Sequence, residues 1–451
     1  MIRFIDRDKE LDVLDRAWNS DKSEFIVLYG RRRVGKTTLL NEFFKNKSGI
    51  FYVAEDIFYR VQISDVKDVI AEFFNDEFLR NVTIESWKNL FEYLSRVMPL
   101  DKRFYLVLDE FTYLSKNDRT IITSLQKFWD SFLSGTRIFL AISGSDMGMV
   151  EDMVLSYSSP LYGRRTRDIL LEPMSLKNSL KFLDMDFVNG FMTFMAIGGV
   201  PEYLLKASGY RDFFSFIMRE FEDKQGYFYR EPYFLLSQEF RNPNIYFSIL
   251  NAISSGKNKP VEMANLIGVE SKKLYPYIEN LINLGFILRE TPVTEKKNPG
   301  IYAMKDYMTE FWFNFVYPNR EFIERGTNIR HSDYSAYFGR IFEKVIRNDI
   351  SPDLFPGYSV GKWWYKDNEI DLVAVSSDFQ EVIIGECKWR SNVDPLAIRK
   401  SLEAKGKIML RGKTPGSIRY VIFAKDFNSQ NAGSDTVTYG LPSIASLLKE
   451  N

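Results

Sequence analysis

The amino-acid sequence predicts an α/β protein with two separate sheets, each covered by helices. Three observations lead to this fold class. Residues 1–170 alternate short apolar runs with helical patterns, and the same alternation returns in residues 334–451. Between these regions, residues 171–320 are largely helical and aromatic. The chain has 451 residues, which is enough for about three domains of roughly 150 residues each.

Composition limits the chemistry that this chain can perform. Hydrophobic residues make up 45% and charged residues 27%, which excludes general disorder. Lys and Arg together number 60, as do Asp and Glu, so any basic surface for nucleic acid must be local. One cysteine, Cys387, and one histidine, His331, argue against disulfides, thiolate or histidine metal sites and histidine relays. Catalysis is therefore expected from carboxylates, Lys, Arg, hydroxyls and backbone groups.

Four apolar runs predict the strands of the first sheet. They lie at residues 25–29, 51–53, 104–108 and 138–142. Unbroken apolar strands separated by helices are typical of a parallel sheet that is buried on both faces. We therefore expect residues 1–170 to form one α/β domain.

The segment directly after the first strand carries a phosphate-binding motif. It reads Gly-Arg-Arg-Arg-Val-Gly-Lys-Thr and fits the GxxxxGK[ST] pattern of a P-loop between a strand and a helix. The amides of such a loop face nucleotide phosphates. Lys36 is expected to reach the β- and γ-phosphates, and Thr37 to hold Mg²⁺. The expected ATP-binding set is Gly30, Arg31, Arg32, Arg33, Val34, Gly35, Lys36, Thr37 and Thr38.

The third strand ends in two acidic residues beside the predicted P-loop. Asp109 is expected to bind Mg²⁺ through water, and Glu110 to polarise the attacking water. The alternative for Glu110 is a solvated charge at a strand end. The fourth strand ends in Ser143-Gly144-Ser145, where a hydroxyl either senses the γ-phosphate or belongs to a simple turn. Together the two acids favour nucleotide hydrolysis over phosphoryl transfer to a small acceptor.

At these motifs the chain resembles the archaeal ATPases of the STAND/AAA+ superfamily. Residues 4–11 are similar to their Phe-x-x-Arg-x-x-Glu-Leu lead-in. Residues 162–165 (Tyr-Gly-Arg-Arg) resemble their Gly-Arg-Arg segment, and residues 199–201 (Gly-Val-Pro) their Gly-x-Pro motif. The similarity in layout extends across most of the chain, and Walker A alone indicates only a P-loop protein.

The resemblance implies a helical lid at residues 171–240 and places further residues around ATP. It implies that Arg164 or Arg165 faces the γ-phosphate as a finger or sensor, for which a guanidinium is suited. The alternative is an ordinary surface pair. An arginine acting in trans requires a homo-oligomer, and one acting in cis does not. Arg7 and Pro201 are placed near the adenine by the resemblance alone.

Residues 241–320 predict a winged-helix domain. Two helices, at 259–268 and 272–284, are followed by strands at 286–290 and 301–304, which is the winged-helix order. The second helix is expected to expose Ser271, Lys272, Lys273 and Tyr275 to a major groove, with Lys296 and Lys297 on the wing contacting phosphates. The alternative is a packing module that does not touch DNA.

Residues 334–451 predict a carboxylate site on a hairpin. Asp371 begins one apolar strand, and Glu386-Cys387-Lys388 end the next, so a hairpin places Asp371 beside Glu386. Residues two apart on a strand share a face, so Glu386 and Lys388 point the same way. Two carboxylates offer oxygen ligands for Mg²⁺ or Mn²⁺, and a lysine beside them stabilises charge on a phosphodiester.

This pattern resembles the PD-(D/E)xK nuclease fold, with Asp371, Glu386 and Lys388 in the D…ExK positions. The resemblance implies a further acidic metal ligand, Glu343, on the preceding helix. A Glu-Ile-Asp triplet stands where the family commonly has Pro-Asp. The alternatives are a solvated hairpin or a nuclease fold without activity. A basic cluster that could follow a DNA backbone comprises Lys388, Arg390, Arg399, Lys400, Lys405, Lys407, Arg411 and Lys413.

The sequence thus predicts an ATP-binding and ATP-hydrolysing protein that couples nucleotide state to DNA binding and to metal-dependent DNA cleavage. The alternative is an ATP-switched regulator or scaffold with an inactive nuclease-like domain. A small-molecule kinase is disfavoured by Glu110 and by the large additional domains. No run of 18 apolar residues and no apolar signal-peptide core is present in the sequence, so we expect no membrane span and a cytoplasmic location.

Overall fold

A computed structural model of the protein describes residues 4–99, 102–294, 300–326 and 334–450. The chain forms two compact units. The first unit comprises Met1–Met174 with Val200–Glu202, and the second comprises Ser175–Gly199 with Tyr203–Asn451. The chain therefore enters the second unit, returns to the first for three residues, and leaves it again.

The first unit contains a parallel five-stranded sheet. Its strands are β1 Glu24–Tyr29, β2 Gly49–Val53, β3 Phe104–Asp109, β4 Ile138–Gly144 and β5 Arg167–Leu170. The strand order is β2-β3-β4-β1-β5, and all neighbours are parallel. The four predicted strands are confirmed. The fifth strand, β5, was not predicted because this edge strand begins with Arg167 and Asp168 and lacks an apolar run.

Helices cover both faces of this sheet. On β1, Phe25 and Val27 join the core on one face, and Ile26 and Leu28 join the core on the other, which explains the unbroken apolar run. The helices are α1 Asp8–Trp18, α2 Lys36–Phe44, α3 Tyr59–Phe74, α4 Glu77–Asn81, α5 Trp87–Val97, α6 Phe111–Asn117, α7 Thr120–Ser131 and α8 Met147–Val150. A 3₁₀ turn (Leu133–Gly135) and a π-helix (Glu151–Leu155) complete the unit.

The second unit begins with helices in the region of the predicted lid. They are α9 Leu176–Leu180, α10 Phe187–Ile197, α11 Pro201–Ala207, α12 Phe213–Glu220 and α13 Glu231–Glu239. The first two residues of α11 belong to the first unit. Asp186 caps α10 by accepting hydrogen bonds from the amides of Val188 and Asn189 at 2.9 and 3.0 Å. α10 ends at Gly198, whose φ is 65°. This positive φ favours glycine at the point where the chain turns towards the first unit.

The middle region has the predicted order of helices followed by a hairpin. Its elements are α14 Pro243–Ser254, α15 Pro260–Ile267, a 3₁₀ turn Ser271–Leu274, α16 Tyr275–Asn283, and the antiparallel strands β6 Ile287–Glu290 and β7 Ile301–Met304. Lys272, Lys273 and Tyr275 are exposed, as expected. Lys296 and Lys297 lie outside the described residues.

The end of this hairpin is bound to the second sheet. The amide of Val293 donates to the carbonyl oxygen of Lys362, at 3.0 Å. Lys362 lies on an edge strand of that sheet, and Gly361 leaves room for the Val293 side chain, because a Cβ at Gly361 would lie 3.0 Å from the Cβ of Val293. The described part of the hairpin is therefore a support for the last sheet.

The second sheet has five strands in the order β12-β11-β10-β9-β8. They are β8 Ser359–Tyr365, β9 Asn368–Val375, β10 Glu381–Lys388, β11 Ser417–Ala424 and β12 Thr436–Tyr439. β9 is antiparallel to β8 and β10, whereas β10, β11 and β12 are parallel. Strands β8 and β12 lie at the two edges, where partly polar sequences gave no clear apolar signal.

The helices of this last region are α17 Tyr307–Phe315, α18 Arg320–Glu324, α19 Tyr334–Val345, α20 Ser351–Leu354, α21 Pro395–Met409 and α22 Leu441–Glu450. α19 and α21 pack against β10, and α22 packs against β12, whereas α17 packs against α10 and α14. α19 continues into a π-helix, Ile346–Ile350. Throughout the described ranges, every helix is too short or too polar to cross a lipid bilayer.

Candidate functional sites

The loop after β1 has the backbone shape of a phosphate-binding loop. Gly30 has φ 154°, and a Cβ there would lie 2.3 Å from the carbonyl oxygen of Leu171. Gly35 has φ 93° and directly precedes α2. Both positions therefore require glycine. The loop amides lie at the N-terminus of α2, which favours negative charge.

Lys36, Thr37 and Asp109 meet inside this loop. Nζ of Lys36 donates to the carbonyl oxygens of Gly30 and Arg31 at 3.0 and 3.2 Å. Oγ1 of Thr37 donates to Oδ2 of Asp109 at 2.5 Å. Asp109 is fully buried, and burial raises the pKa of its carboxyl against the hydrogen bonds from Ser143 and Thr37, which lower it. A hydroxyl paired with a carboxylate is a donor set that fits Mg²⁺.

Glu110 lies beside Asp109 in an unusual backbone conformation. Its φ is 53°, which is uncommon outside glycine and frequent where strain is held at a functional site. Its amide donates a hydrogen bond to Oγ of Ser143 at 3.1 Å, and Oε1 accepts a hydrogen bond from Ser145. Oε2 is buried without a hydrogen-bond partner among the described residues. Ser143 and Ser145 thus hold the two acids, and their role as γ-phosphate sensors stays a prediction.

Two residues that the resemblance placed near adenine lie against the P-loop. Nη2 of Arg7 donates to the carbonyl oxygens of Val34 and Glu172 at 3.1 and 2.9 Å. The ring of Pro201 lies 4.0 Å from the position that a Cβ of Gly35 would take. Arg7 thus stabilises the loop through its backbone, and contact with adenine stays a prediction for both residues.

The remaining loop side chains differ in position. Nη2 of Arg32 donates to the hydroxyl of Tyr113 at 3.0 Å, and Thr38 is exposed on α2. Arg33 has φ 71°, so its contribution includes the shape of the loop.

Arg164 and Arg165 do not lie at the P-loop of their own chain. They precede β5, and the amide of Thr166 donates to the carbonyl oxygen of Phe25, at the start of β1. Gly30 follows the other end of β1, roughly 15 Å away at about 3.3 Å per residue. Because their backbone lies at the end of β1 opposite the P-loop, the structure does not bring either arginine to the loop of its own chain, and a contact with the γ-phosphate stays a prediction.

Both arginines have partners at that end of the sheet. Arg164 forms two hydrogen bonds with Asp130, each 2.8 Å, and Arg165 pairs with Asp168 at 3.1 Å. A cavity of about 720 Å³ lies beside Arg164 and is also lined by Trp129 and Asp130. The sequence gave no signal for this location because it did not reveal β5.

The second unit brings the predicted carboxylates together on β9 and β10. Gly385 pairs with Leu372 in an antiparallel register, which places Glu386 opposite Asp371. Oδ2 of Asp371 accepts a hydrogen bond from the amide of Cys387 at 2.9 Å. Asp371 and Glu386 are 6% and 8% exposed, so two neighbouring carboxylates on the sheet are both buried.

Glu386 forms ion pairs with two lysines, which offset the negative charge of the neighbouring acids. Its Oε1 pairs with Lys388 at 2.6 Å, and its Oε2 pairs with Lys405 at 3.1 Å. The shared face of Glu386 and Lys388 follows from strand geometry. Lys405 comes from α21. The sequence indicated it only as a member of a basic cluster and did not predict its contact with Glu386.

A second acidic group adjoins this pair. Carboxylate oxygens of Glu343, Glu369 and Asp371 lie within 4.8 Å of one another. Burial and then Asp371 raise the pKa of Glu343 to about 7, and burial and then Glu386 raise the pKa of Asp371 to about 6. The structure thus gathers Asp371 and Glu343 with Glu369, a residue two positions before Asp371 that the sequence analysis did not select. Three carboxylates gathered this closely are a set of oxygen ligands that fits a divalent cation.

Arg347, on the π-helix after α19, contacts the acidic site. Its Nη1 donates to the carbonyl oxygen of Asp371 at 3.0 Å, and its Nη2 pairs with Glu290 of β6 at 3.3 Å. The side chain of Arg347 is 9% exposed. The hairpin of the middle region therefore reaches the backbone of Asp371 through one arginine.

The basic cluster on α21 is partly neutralised. Arg399 pairs with Asp435 and Glu403, each at 2.5 Å, and Lys407 pairs with Glu403 at 3.1 Å. Asp435 is remote in sequence, so its pairing was not foreseen. Arg390, Lys400, Arg411 and Lys413 are exposed, and they contribute the rest of the expected positive surface.

The parallel sheet with its P-loop defines the first unit as a P-loop ATPase domain. Residues 4–204 match a family model described as an ATPase domain predominantly from Archaea. Residues 312–401 match a model described as Archaea bacterial proteins of unknown function. The chain is 32% identical over 444 residues to the uncharacterized protein MJECL04 of Methanocaldococcus jannaschii, covering 95% of this chain and 97% of that protein. It belongs to the same family as MJECL04.

Two further similarities concern parts of the chain. A 47-residue segment is 51% identical to the uncharacterized ATP-binding protein MJ0423 of the same organism, covering 10% of this chain and 80% of that protein. The Walker-type ATPase PABY2304 of Pyrococcus abyssi has a similar structure, with a TM-score of 0.51, 22% identity, and coverage of 69% of this chain and 96% of that one. This likeness confirms the P-loop fold.

Proposed function

We propose that this protein hydrolyses ATP at its P-loop and uses the nucleotide state to control a metal-dependent, DNA-cleaving site in its second unit. The observation that carries the proposal is that each unit gathers a separate reactive set. The first unit pairs Thr37 with Asp109 behind a P-loop, and the second gathers Asp371, Glu386 and Lys388 on one hairpin.

In the proposed ATPase, each residue acts through its position in the loop. Lys36 turns from its two backbone carbonyls to the β- and γ-phosphates. Thr37 and Asp109 would hold Mg²⁺, which would neutralise the charge that develops on the phosphates. Glu110 orients the attacking water through Oε1 or Oε2, with Ser145 fixing its side chain. Arg164 does not contribute in cis, because Asp130 holds it at the end of the sheet opposite the P-loop.

α10 is the element that we propose to couple the nucleotide state to the second unit. The chain runs from α10 through Gly198 and Gly199 into Val200–Glu202 of the first unit, and Pro201 lies beside Gly35. Within the second unit, the Phe191 ring of α10 stacks on Trp389, with ring centroids 6.0 Å apart. Trp389 directly follows Lys388, so a movement of α10 reaches the acidic site.

In the proposed nuclease site, Mg²⁺ or Mn²⁺ would be held by Glu343, Glu369, Asp371 and Glu386, and would activate water and neutralise a phosphodiester. Lys388 stabilises the charge on that phosphodiester. Exposed Lys400 contacts the DNA backbone through charge. We further infer a winged-helix domain at residues 241–320 whose hairpin supports the acidic site.

One observation favours a second candidate, an ATP-switched regulator or scaffold without cleavage. Both oxygens of Glu386 are already paired with lysines. A site without activity would also retain Glu386, because its ion pairs with the two lysines would still stabilise the fold. In this candidate the ATPase is unchanged, and the second unit binds DNA or protein without cutting.

Nicking of supercoiled plasmid in Mn²⁺ separates the two candidates. Wild-type protein is expected to nick the plasmid with an ATP-dependent rate, and Asp371→Ala to lose at least about 100-fold of that activity because the metal site is broken. Asp367→Ala removes an exposed carboxylate from the turn before β9 and serves as the matched control. Intact plasmid with wild-type protein, with and without ATP, would leave only the regulator.

A further inference from the structure

Glu386 lies between two ammonium groups that come from different elements. Lys388 is on the same strand as Glu386. Lys405 follows Glu386 by 19 residues and is on α21. Each lysine takes a different oxygen of the carboxylate, at 2.6 and 3.1 Å. A metal that binds Glu386 must therefore displace one of the two lysines.

The position of Lys405 is built into the fold. Its neighbour Gly406 is buried, and a Cβ there would lie 2.8 Å from Cδ1 of Ile384 on β10. Glycine thus lets α21 approach β10 closely at the level of the acidic site. The side chain of Lys405 is 25% exposed, whereas that of Lys407, two residues later, is 76% exposed.

The charge around Glu386 indicates which lysine is exchangeable. Lys388 is held on the strand beside Asp371 as well as Glu386, and both acids and the hydrogen bond to Glu386 raise its pKa. Lys405 has the longer contact and reaches the site from a helix. A divalent cation at Asp371 would attract Oε2 of Glu386 and repel the ammonium that holds it.

We propose that Lys405 is an exchangeable counter-ion of the acidic site: it competes with the divalent metal for Glu386 and, once displaced, contacts the phosphodiester backbone of DNA. This role rests on the proposed nuclease function. Lys405 stabilises the closely spaced carboxylates while no metal is bound, since an unpaired buried carboxylate is costly. In the loaded site it supplies a second positive charge beside Lys388.

Mn²⁺ binding to the full-length protein without nucleotide tests the competition, with electron paramagnetic resonance as the readout. Lys405→Met is expected to bind Mn²⁺ about 3- to 10-fold more tightly, because no ammonium has to leave. Lys405→Arg keeps the charge and is expected to stay within about twofold of wild type. Lys407→Met, the matched control on the same helix, changes nothing. Weaker or unchanged Mn²⁺ binding in Lys405→Met would overturn the proposal.

Plasmid nicking in Mn²⁺ tests the contact with the phosphodiester. Lys405→Met is expected to nick at least 10-fold more slowly at saturating Mn²⁺, although it binds the metal better, whereas a merely structural role would lower both. Lys405→Arg restores most of the rate. An unchanged nicking rate in Lys405→Met contradicts the contact with DNA.

The failure of the nuclease function has a different signature. If wild-type protein binds no Mn²⁺ but Lys405→Met does, cleavage is wrong and the counter-ion role stands, because the lysine occupies the place of the metal. If neither protein binds Mn²⁺, both proposals are overturned.

Discussion

The P-loop site and the acidic site handle charge in opposite ways. The P-loop site is formed mainly by the backbone amides and carbonyls of consecutive residues, with Asp109 added from β3, which lies two strands away from β1. The acidic site gathers side chains from α19, β9, β10 and α21. A backbone site is therefore fixed by local conformation, whereas a side-chain site depends on the packing of several elements.

The two sites also differ in how their charges are balanced. Around Asp109, neutral hydroxyls of Ser143 and Thr37 offset the cost of burial. In the acidic site, burial and neighbouring carboxylates raise the pKa values of Glu343 and Asp371, and Lys388 and Lys405 form ion pairs with Glu386. The backbone amides of the first site favour binding of an anion, and the carboxylates of the second site favour binding of a cation.

The largest expected effect concerns the P-loop. Lys36→Ala removes the ammonium group that we expect to contact the β- and γ-phosphates, so we expect ATP affinity to fall by at least about 100-fold. Isothermal titration with Mg-ATP measures this loss. Lys45→Ala, an exposed lysine just after α2, is the control. Binding retained by Lys36→Ala would show that this loop is not the nucleotide site.

Removing the proposed base separates hydrolysis from binding. Glu110→Gln keeps the size and the contact with Ser145 but cannot polarise water as well, so turnover is expected to fall by roughly 10²- to 10⁴-fold with ATP affinity nearly unchanged. Phosphate release under saturating ATP is the measurement, and Glu151→Gln, an exposed carboxylate after β4, is the control. Unchanged turnover would remove Glu110 from its role.

A pH series tests the charge balance of the acidic site. The pKa of Glu343 is about 7 in the folded protein, above about 4.3 when unfolded, so the folded state binds the proton more tightly. Stability contributed by protonated Glu343 is present below about pH 4 and is lost as pH rises to about 7. Glu343→Gln, which cannot ionise, is therefore expected to raise the free energy of unfolding at pH 8 by about 1–3 kcal/mol.

Urea unfolding at pH 8 and pH 5 in a chelator checks this sign, because the gain should shrink towards pH 5. Glu403→Gln is the contrasting control, since Lys407 and Arg399 lower the pKa of Glu403 and its removal should not stabilise the protein. A loss of stability in Glu343→Gln at pH 8 would contradict the claim that burial and Asp371 make ionised Glu343 unfavourable in the folded protein.

The smallest expected effect concerns Arg164. Because it lies at the sheet edge opposite the P-loop, Arg164→Ala should change ATP turnover by less than about twofold in protein dilute enough to sediment as a monomer. Loss of its partly exposed pair with Asp130 should cost at most about 1 kcal/mol of stability. A large drop in dilute protein would restore a role in cis, and a drop only in concentrated protein would indicate a role in trans.

Much of the molecule could be predicted from single segments of sequence. The strand that ends at Tyr29, the P-loop after it and the acids after β3 were all visible, because an apolar run and a glycine motif report local backbone geometry. The pairing of Asp371 with Glu386 also followed from one hairpin. The edge strand β5 gave no signal, because its four residues begin with Arg167 and Asp168 and contain no longer apolar run.

The sequence by itself determined the backbone-made site, since the positive φ values at Gly30 and Gly35 and the helix that starts at Lys36 are properties of neighbouring residues. Only the tertiary structure decided the rest. It placed Arg164 at the far edge of the first sheet, added Glu369 to the carboxylates, and brought Lys405 to Glu386. The physical reason is that these contacts join residues on separate elements, and their distances depend on how whole helices and strands pack.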